Sequence, residues 1–151
     1  MKTVITYGTF DLFHIGHLNL LRRLRSLGDR LVVGVSTDDF NSIKGKKTIV
    51  SYEHRAEIVG SLKCVDHVFP ETDWEQKRAD ILRERAHIFA MGDDWAGKFD
   101  SLGDICEVIY LPRTRDVSTT EIKQIVNALH QEKVEELRHS VQHLTMLVND
   151  L

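Results

Sequence analysis

The sequence predicts an α/β fold, a doubly wound parallel sheet of about five strands with a C-terminal helical extension. Three observations carry that expectation. Short apolar, β-branched runs alternate with stretches of helical periodicity, the pattern of parallel strands buried on both faces. The residues richest in chemistry fall directly after those runs, where such sheets bind ligands. The chain of 151 residues, 42% hydrophobic and 28% charged, has the length and composition of one globular domain with a substantial core.

In chain order, Thr3 to Tyr7 reads as the first strand and Leu31 to Val35 as the second. Val65 to Phe69, His87 to Met91 and Glu107 to Leu111 complete the sheet. Between them, Ile15 to Leu27 presents Leu18, Leu21 and Leu24 on one helical face, and Glu53 to Leu62 and Trp74 to Arg85 supply two more helices. The last stretch differs. Val134, Leu137, Val141, Leu144, Val148 and Leu151 recur at three-then-four spacing, whereas Ile122, Ile125, Val126 and Leu129 form a stripe of another phase. We therefore expect a domain over 1–129 and a helical extension over 130–151 that packs or oligomerises.

With a net charge of −3 the chain has no overall basic field, which argues against nucleic acid as a partner, and anion binding must be local. Cys64 and Cys106 sit in apolar runs and read as buried reduced thiols. Neither a signal h-region nor a membrane-spanning run is present, so a cytoplasmic protein without membrane insertion is expected. His139 and His143 lie four apart, a spacing that suits a metal but more often marks an exposed polar face. No metal site is assigned.

The segment from Gly8 to His17 concentrates the chemistry. A glycine closes the first strand, and His14 and His17 stand three apart at the start of a helix, sharing a face. Helix N-termini offer unpaired N–H groups and the positive end of the dipole, so phosphate is their natural guest. Gly16 removes a side chain between the imidazoles, and two imidazoles aimed at one phosphorus would stabilise charge building on its oxygens. The bland alternative is that both are polar helix-start residues. Further on, Ser118 is a natural N-cap, with Thr119 and Thr120 adding donors at a second helix start.

Gly8-Thr9-Phe10-Asp11 with His14-Ile15-Gly16-His17 resembles the signature of the cytidylyltransferase family, whose His-x-Gly-His element is shared with small adenylyltransferases and class I aminoacyl-tRNA synthetases. Pro112-Arg113-Thr114-Arg115-Asp116-Val117-Ser118-Thr119-Thr120 resembles the second signature of glycerol-3-phosphate cytidylyltransferases. Thr37-Asp38 with Asn41, Tyr52-Glu53-His54-Arg55, Val65-Asp66, Trp74 to Lys77 and Met91 to Trp95 match that family in order, over about the first 125 residues. The resemblance implies a Rossmann-like fold and a homodimer that transfers CMP from CTP to sn-glycerol 3-phosphate, giving CDP-glycerol for a cell wall or capsule polymer.

By the same resemblance His14, His17, Lys44 and Arg113 would be catalytic. The nucleotide would be held by Thr9, Phe10, Asp11, Gly16 and the two histidines, by Asp38, Lys46 and Asp94, and by Arg113, Thr114, Ser118, Thr119 and Thr120. Lys44, Arg55, Lys63, Asp66 and Lys77 would hold the acceptor. Magnesium would arrive with CTP, held mainly by phosphates, with Asp11 or Asp38 as possible helpers. Trp74 and Trp95 are assigned no chemistry. Lys63 stands where the family usually has arginine, losing its planar fork, and Asp116 where it has glycine. Those departures keep other acceptors open (phosphoethanolamine, phosphocholine, a sugar phosphate), as well as ATP as donor. A non-catalytic nucleotide-binding scaffold is the rival of a different class.

Overall fold

A computed structural model describes residues 1–112 and 118–151. They divide into two compact units, Met1–Asp116 and Val117–Leu151. The first is the sheet. Its strands are β1 (Thr3–Gly8), β2 (Arg30–Ser36), β3 (His67–Glu71), β4 (Ile88–Gly92) and β5 (Glu107–Leu111). All pair in parallel in the order β3-β2-β1-β4-β5, so the order reverses at β1 and the chain crosses from one half of the sheet to the other. That reversal opens a crevice at the carboxyl ends of the strands.

Alternation along the strands feeds two cores. Val4, Leu31, Val33, Val35, Ile88 and Ala90 face Leu21 and Leu24 of α1 (Ile15–Arg25) and Val59 of α3 (Tyr52–Gly60). On the opposite face, Ile5, Tyr7, Val32, Phe69, Phe89 and Met91 pack with Ile81 of α4 (Lys77–Glu84) and with Leu102. The third strand begins two residues later than expected, because Leu62 to Val65 close a turn and Asp66 accepts the Leu31 N–H at 2.8 Å. It also runs through Pro70, which an edge strand tolerates because one of its sides has no ladder to complete. Three short elements have no counterpart in the expected pattern: α2 (Asp38–Ile43), capped by the Thr37 hydroxyl, and 3-10 turns over Asp93–Trp95 and Asp100–Asp104. The helix expected from Trp74 to Arg85 opens as a 3-10 turn over Trp74–Gln76 ahead of α4. Cys64 and Cys106 are free thiols, each half-buried rather than fully buried.

The second unit is one helix, α5 (Thr119–Asn149), of 31 residues. At about 1.5 Å per residue it is roughly 46 Å long. Ser118 caps it by accepting the Glu121 N–H at 3.0 Å. The helix is continuous through Leu129, so the boundary expected at 129/130 falls inside α5, and the division into units comes earlier. Among the described residues, no helix is long and apolar enough to cross a membrane.

Candidate active site

The turn from β1 into α1 is unusually constrained. Phe10 and Leu12 both adopt left-handed backbone, at φ 55° and 48°, which costs a residue with a Cβ on the order of 1–3 kcal/mol. Two features hold them there. A Cβ on Gly8 would lie 2.7 Å from the Phe10 ring, so only glycine lets that ring fold back on the strand. Asp11 is buried and its carboxylate accepts the N–H groups of Leu12, Ile49 and Val50 at 3.2, 2.8 and 2.9 Å, tying this turn to the 44–50 loop.

At the end of the turn both histidines cap α1. His14 Nδ1 accepts the Gly16 N–H at 3.0 Å, and His17 Nδ1 accepts the His14 N–H at 3.2 Å, a reciprocal capping box. The rings stack with centroids 3.9 Å apart. Phe10 and Phe13 flank His17, at 5.6 and 5.3 Å. An imidazole that accepts at Nδ1 carries its neutral-form proton on Nε2, so the cap fixes one tautomer for each ring. Burial pushes His17 down to about 4, with the neighbouring His14 adding to the effect, and burial also lowers His14. Both rings are therefore neutral Nε2–H donors at physiological pH. The structural expectation for these residues is the one observed, since both side chains cap the start of the helix.

Beside Gly8 and Thr9 a half-open cleft is lined by Tyr7, Lys44, Lys46, Trp74, Lys77 and Phe99, among others. Glu71, the last residue of β3 and only 3% exposed, is part of the same lining. Glu71 accepts from Lys77 Nζ at 2.7 Å and from the Ser36 hydroxyl at 2.6 Å, and Lys44 Nζ stands 3.8 Å away. Lys44 also donates to Ser36 Oγ at 3.0 Å. Aromatic rings enclose both ammonium groups: Lys44 lies 4.5 Å from the Phe40 centroid, and Lys77 lies 4.7 Å from that of Tyr7. Burial brings Lys44 down to about 8, with Glu71 opposing. Gly45, at φ 75°, turns the loop so that Lys46 reaches the cleft from the exposed side.

Several expected ligands have other work. Arg55 was expected to hold the acceptor, but it is 1% exposed and its guanidinium is spent on the protein. It donates to Val50 O, Thr9 O and Ser36 O at 2.9, 2.7 and 2.8 Å and to Asp38 at 2.7 Å. Asp38 in turn is held below the usual carboxylate range, chiefly by that guanidinium and then by the Tyr52 N–H. Asp11 and Asp38 thus brace the loops. Asp66 lies at the opposite, amino-terminal end of the sheet, bonded to Leu31 N–H and 3.3 Å from Arg25. Lys63 is exposed at that same end, just beyond α3, so neither belongs to the cleft. Asp94 is exposed in the turn after β4, and Ser118, Thr119 and Thr120 form the head of α5 in the second unit. Arg113, Thr114 and Asp116 lie outside the described residues.

Sequence reading missed Tyr7, Glu71, Trp74 and Phe99. Only Glu71 carried a usable signal, a charged residue at the carboxyl end of a strand, and the proline before it disguised that end as a loop.

Comparison with known proteins gives this arrangement a lineage. Residues 5–125 match the family model described as cytidylyltransferase-like. The chain belongs to the cytidylyltransferase-like family. This cytidylyltransferase-like chain is 57% identical over 129 residues to glycerol-3-phosphate cytidylyltransferase of Bacillus subtilis (strain 168), covering 85% of the chain and 100% of that protein. It is 55% identical over 124 residues to the protein of the same name from Staphylococcus aureus, covering 82% and 94%. A solved structure, the lipopolysaccharide core biosynthesis protein of Thermoplasma volcanium GSS1, superposes with a TM-score of 0.65 at 25% identity, covering 76% of this chain and 98% of that one. The Rossmann-like nucleotidyltransferase architecture expected from the sequence is the one found.

Proposed function

We propose that the protein transfers CMP from CTP to sn-glycerol 3-phosphate, releasing pyrophosphate and CDP-glycerol. The observation that carries this is the 57% identity across the whole length of a relative bearing that activity in its name. The cleft supplies a mechanism. An acceptor phosphate has a second pKa of about 6, so it reaches the site mostly as a dianion and needs no general base. One of its oxygens attacks the α-phosphorus in line. The new P–O bond forms as the bond to the pyrophosphate oxygen breaks, and the electron pair leaves with pyrophosphate.

Each residue then has a task in positioning or charge. Lys44 holds the acceptor dianion and Lys77 the polyol end of the same acceptor, and Lys46, with Arg113 from the second signature, serves the triphosphate. His14 and His17 donate Nε2–H to the α-phosphoryl oxygens as charge builds there. Thr9, Phe10 and Gly16 shape the turn that receives the nucleotide, whose base lies toward Asp94. Thr114, Ser118, Thr119 and Thr120 add donors for the phosphates. Magnesium arriving with CTP would be held mainly by the phosphates and would neutralise part of the triphosphate charge, while Asp11, Asp38 and Glu71 hold N–H groups, Arg55 and lysines.

A panel of CTP or ATP with glycerol 3-phosphate, phosphoethanolamine, phosphocholine and sugar phosphates, read by pyrophosphate release and product mass, tests the assignment. CTP with glycerol 3-phosphate should lead by at least tenfold in kcat/KM, and tight CTP binding without turnover for any acceptor would overturn it. We also place the protein in the cytoplasm as a homodimer serving a glycerol-phosphate polymer of the cell wall or capsule. The apolar seam of α5 is the feature that supports self-association. Light scattering on the chain cut after Leu129 should show a smaller assembly than the full chain.

A further inference from the structure

Lys77 sits in an environment built for a cation that does not belong to the backbone. Its Nζ lies 4.7, 5.2 and 5.3 Å from the ring centroids of Tyr7, Trp74 and Phe99. Glu71 closes the fourth side at 2.7 Å, and Lys77 is 4% exposed. Three aromatic faces and a carboxylate around a positive nitrogen form the cage by which proteins bind quaternary ammonium ligands. The cage is firmly built. Tyr7 is pinned by a hydrogen bond from its hydroxyl to Asp80 at 2.8 Å, and it stands opposite Gly34, where a methyl group would run into its ring. Trp74 belongs to the capped turn ahead of α4, the helix on which Lys77 is the first residue.

Taking the acceptor cleft assigned above as given, we propose that Lys77 occupies with its own ammonium an aromatic cage that would otherwise bind the cationic end of a phosphorylated amino alcohol, and so restricts the acceptor to neutral polyol phosphates. The physics is that of selection by repulsion. A choline or ethanolamine nitrogen entering the cleft meets the Lys77 ammonium in the place it needs, with the Lys44 ammonium also 5.6 Å from the Trp74 centroid and Glu71 already neutralised. Glycerol hydroxyls have no such conflict, because they accept from ammonium N–H groups and donate to carboxylate oxygens. Like charges at these separations are also harder to place in a half-buried cleft than in water.

Removing the tethered cation should therefore create a binding site. In the full chain, tetramethylammonium titrated against the tryptophan emission should give no saturable response with the native protein and a saturable one with Lys77→Ala. Adding Glu71→Gln to that variant should weaken the response at least tenfold by removing the counter-ion. Lys77→Met, which refills the cage with an uncharged chain, should bind no tetramethylammonium. A folded Lys77→Ala protein (far-UV circular dichroism unchanged) without saturable binding, or native protein that binds as well as the variant, overturns the proposal. A second measurement needs no variant: the native enzyme should use phosphocholine and phosphoethanolamine at least 100-fold less well than glycerol 3-phosphate in kcat/KM, and use within tenfold overturns the proposal equally. Should the native enzyme turn over none of these acceptors, the acceptor assignment falls, while the tetramethylammonium titration still decides the cage.

Discussion

The head of α1 and the lysine box at the end of β3 lie at the same edge of one sheet, yet they are stabilised in opposite ways. His14 and His17 are uncharged, fixed by backbone N–H groups that leave one defined proton on each ring. Lys44, Lys77 and Glu71 are a buried cluster of full charges, held by one another and by aromatic faces. A neutral donor pair suits charge that appears only in the transition state, because it binds the ground state weakly. A preassembled cationic box suits a dianion that is charged on arrival. Arg55 underlies both regions, since the same guanidinium holds Thr9 O on one side and Ser36 O and Asp38 on the other.

That shared support gives the largest expected effect. Arg55→Met leaves three carbonyls and a carboxylate without their donor and should destabilise the fold by about 3–5 kcal/mol, read as a shift in the urea midpoint. An unchanged midpoint would mean that the two regions stand independently. His17→Ala should touch the first region alone. Its turnover should drop about 10²- to 10³-fold, as for loss of one oxyanion donor, with the KM for CTP little changed. A matching rise in KM at constant kcat would show that the ring binds the ground state. Gly34→Ala strikes the second region by driving a methyl into the Tyr7 ring; about 1–3 kcal/mol of stability should go, with KM for the acceptor rising more than KM for CTP.

The smallest effect is in the pH profile. For the acceptor, kcat/KM should fall above about pH 8, where Lys44 loses its proton, and Lys44→Arg should move that limb upward. On the acid side the fall should follow the acceptor phosphate near 6, because His17 titrates only at about 4. The same histidine bears on stability. Its folded value lies below the ordinary 6.5, so the native state binds fewer protons than the unfolded chain there, and stability should decline as pH falls from 6.5 towards 4.

How much of this the sequence disclosed depended on distance along the chain. The five strands and α1, α3 and α5 were legible because each is announced by its own residues, and His14 and His17 because a glycine-closed strand and a helix start flank them. Helix α2 was not, since six residues after a strand carry too little periodicity to be distinguished from a turn. Arg55 looked like a ligand because its partners are backbone carbonyls of Thr9, Ser36 and Val50, which no residue pattern reveals. The role of Glu71 was hidden for a related reason, beyond the proline that disguised its strand end: its burial depends on lysines 27 residues before it and six after it, which meet only once the sheet has formed.

Glu71 has a consequence for turnover. Lys44, Lys77 and Glu71 together carry a single positive charge, and the acceptor proposed for them enters with two negative ones. When the acceptor phosphate becomes part of a diphosphate linkage it keeps only one. The attraction that gathered the substrate is thereby weakened by the reaction itself, and the box loosens its hold on the product without any moving part.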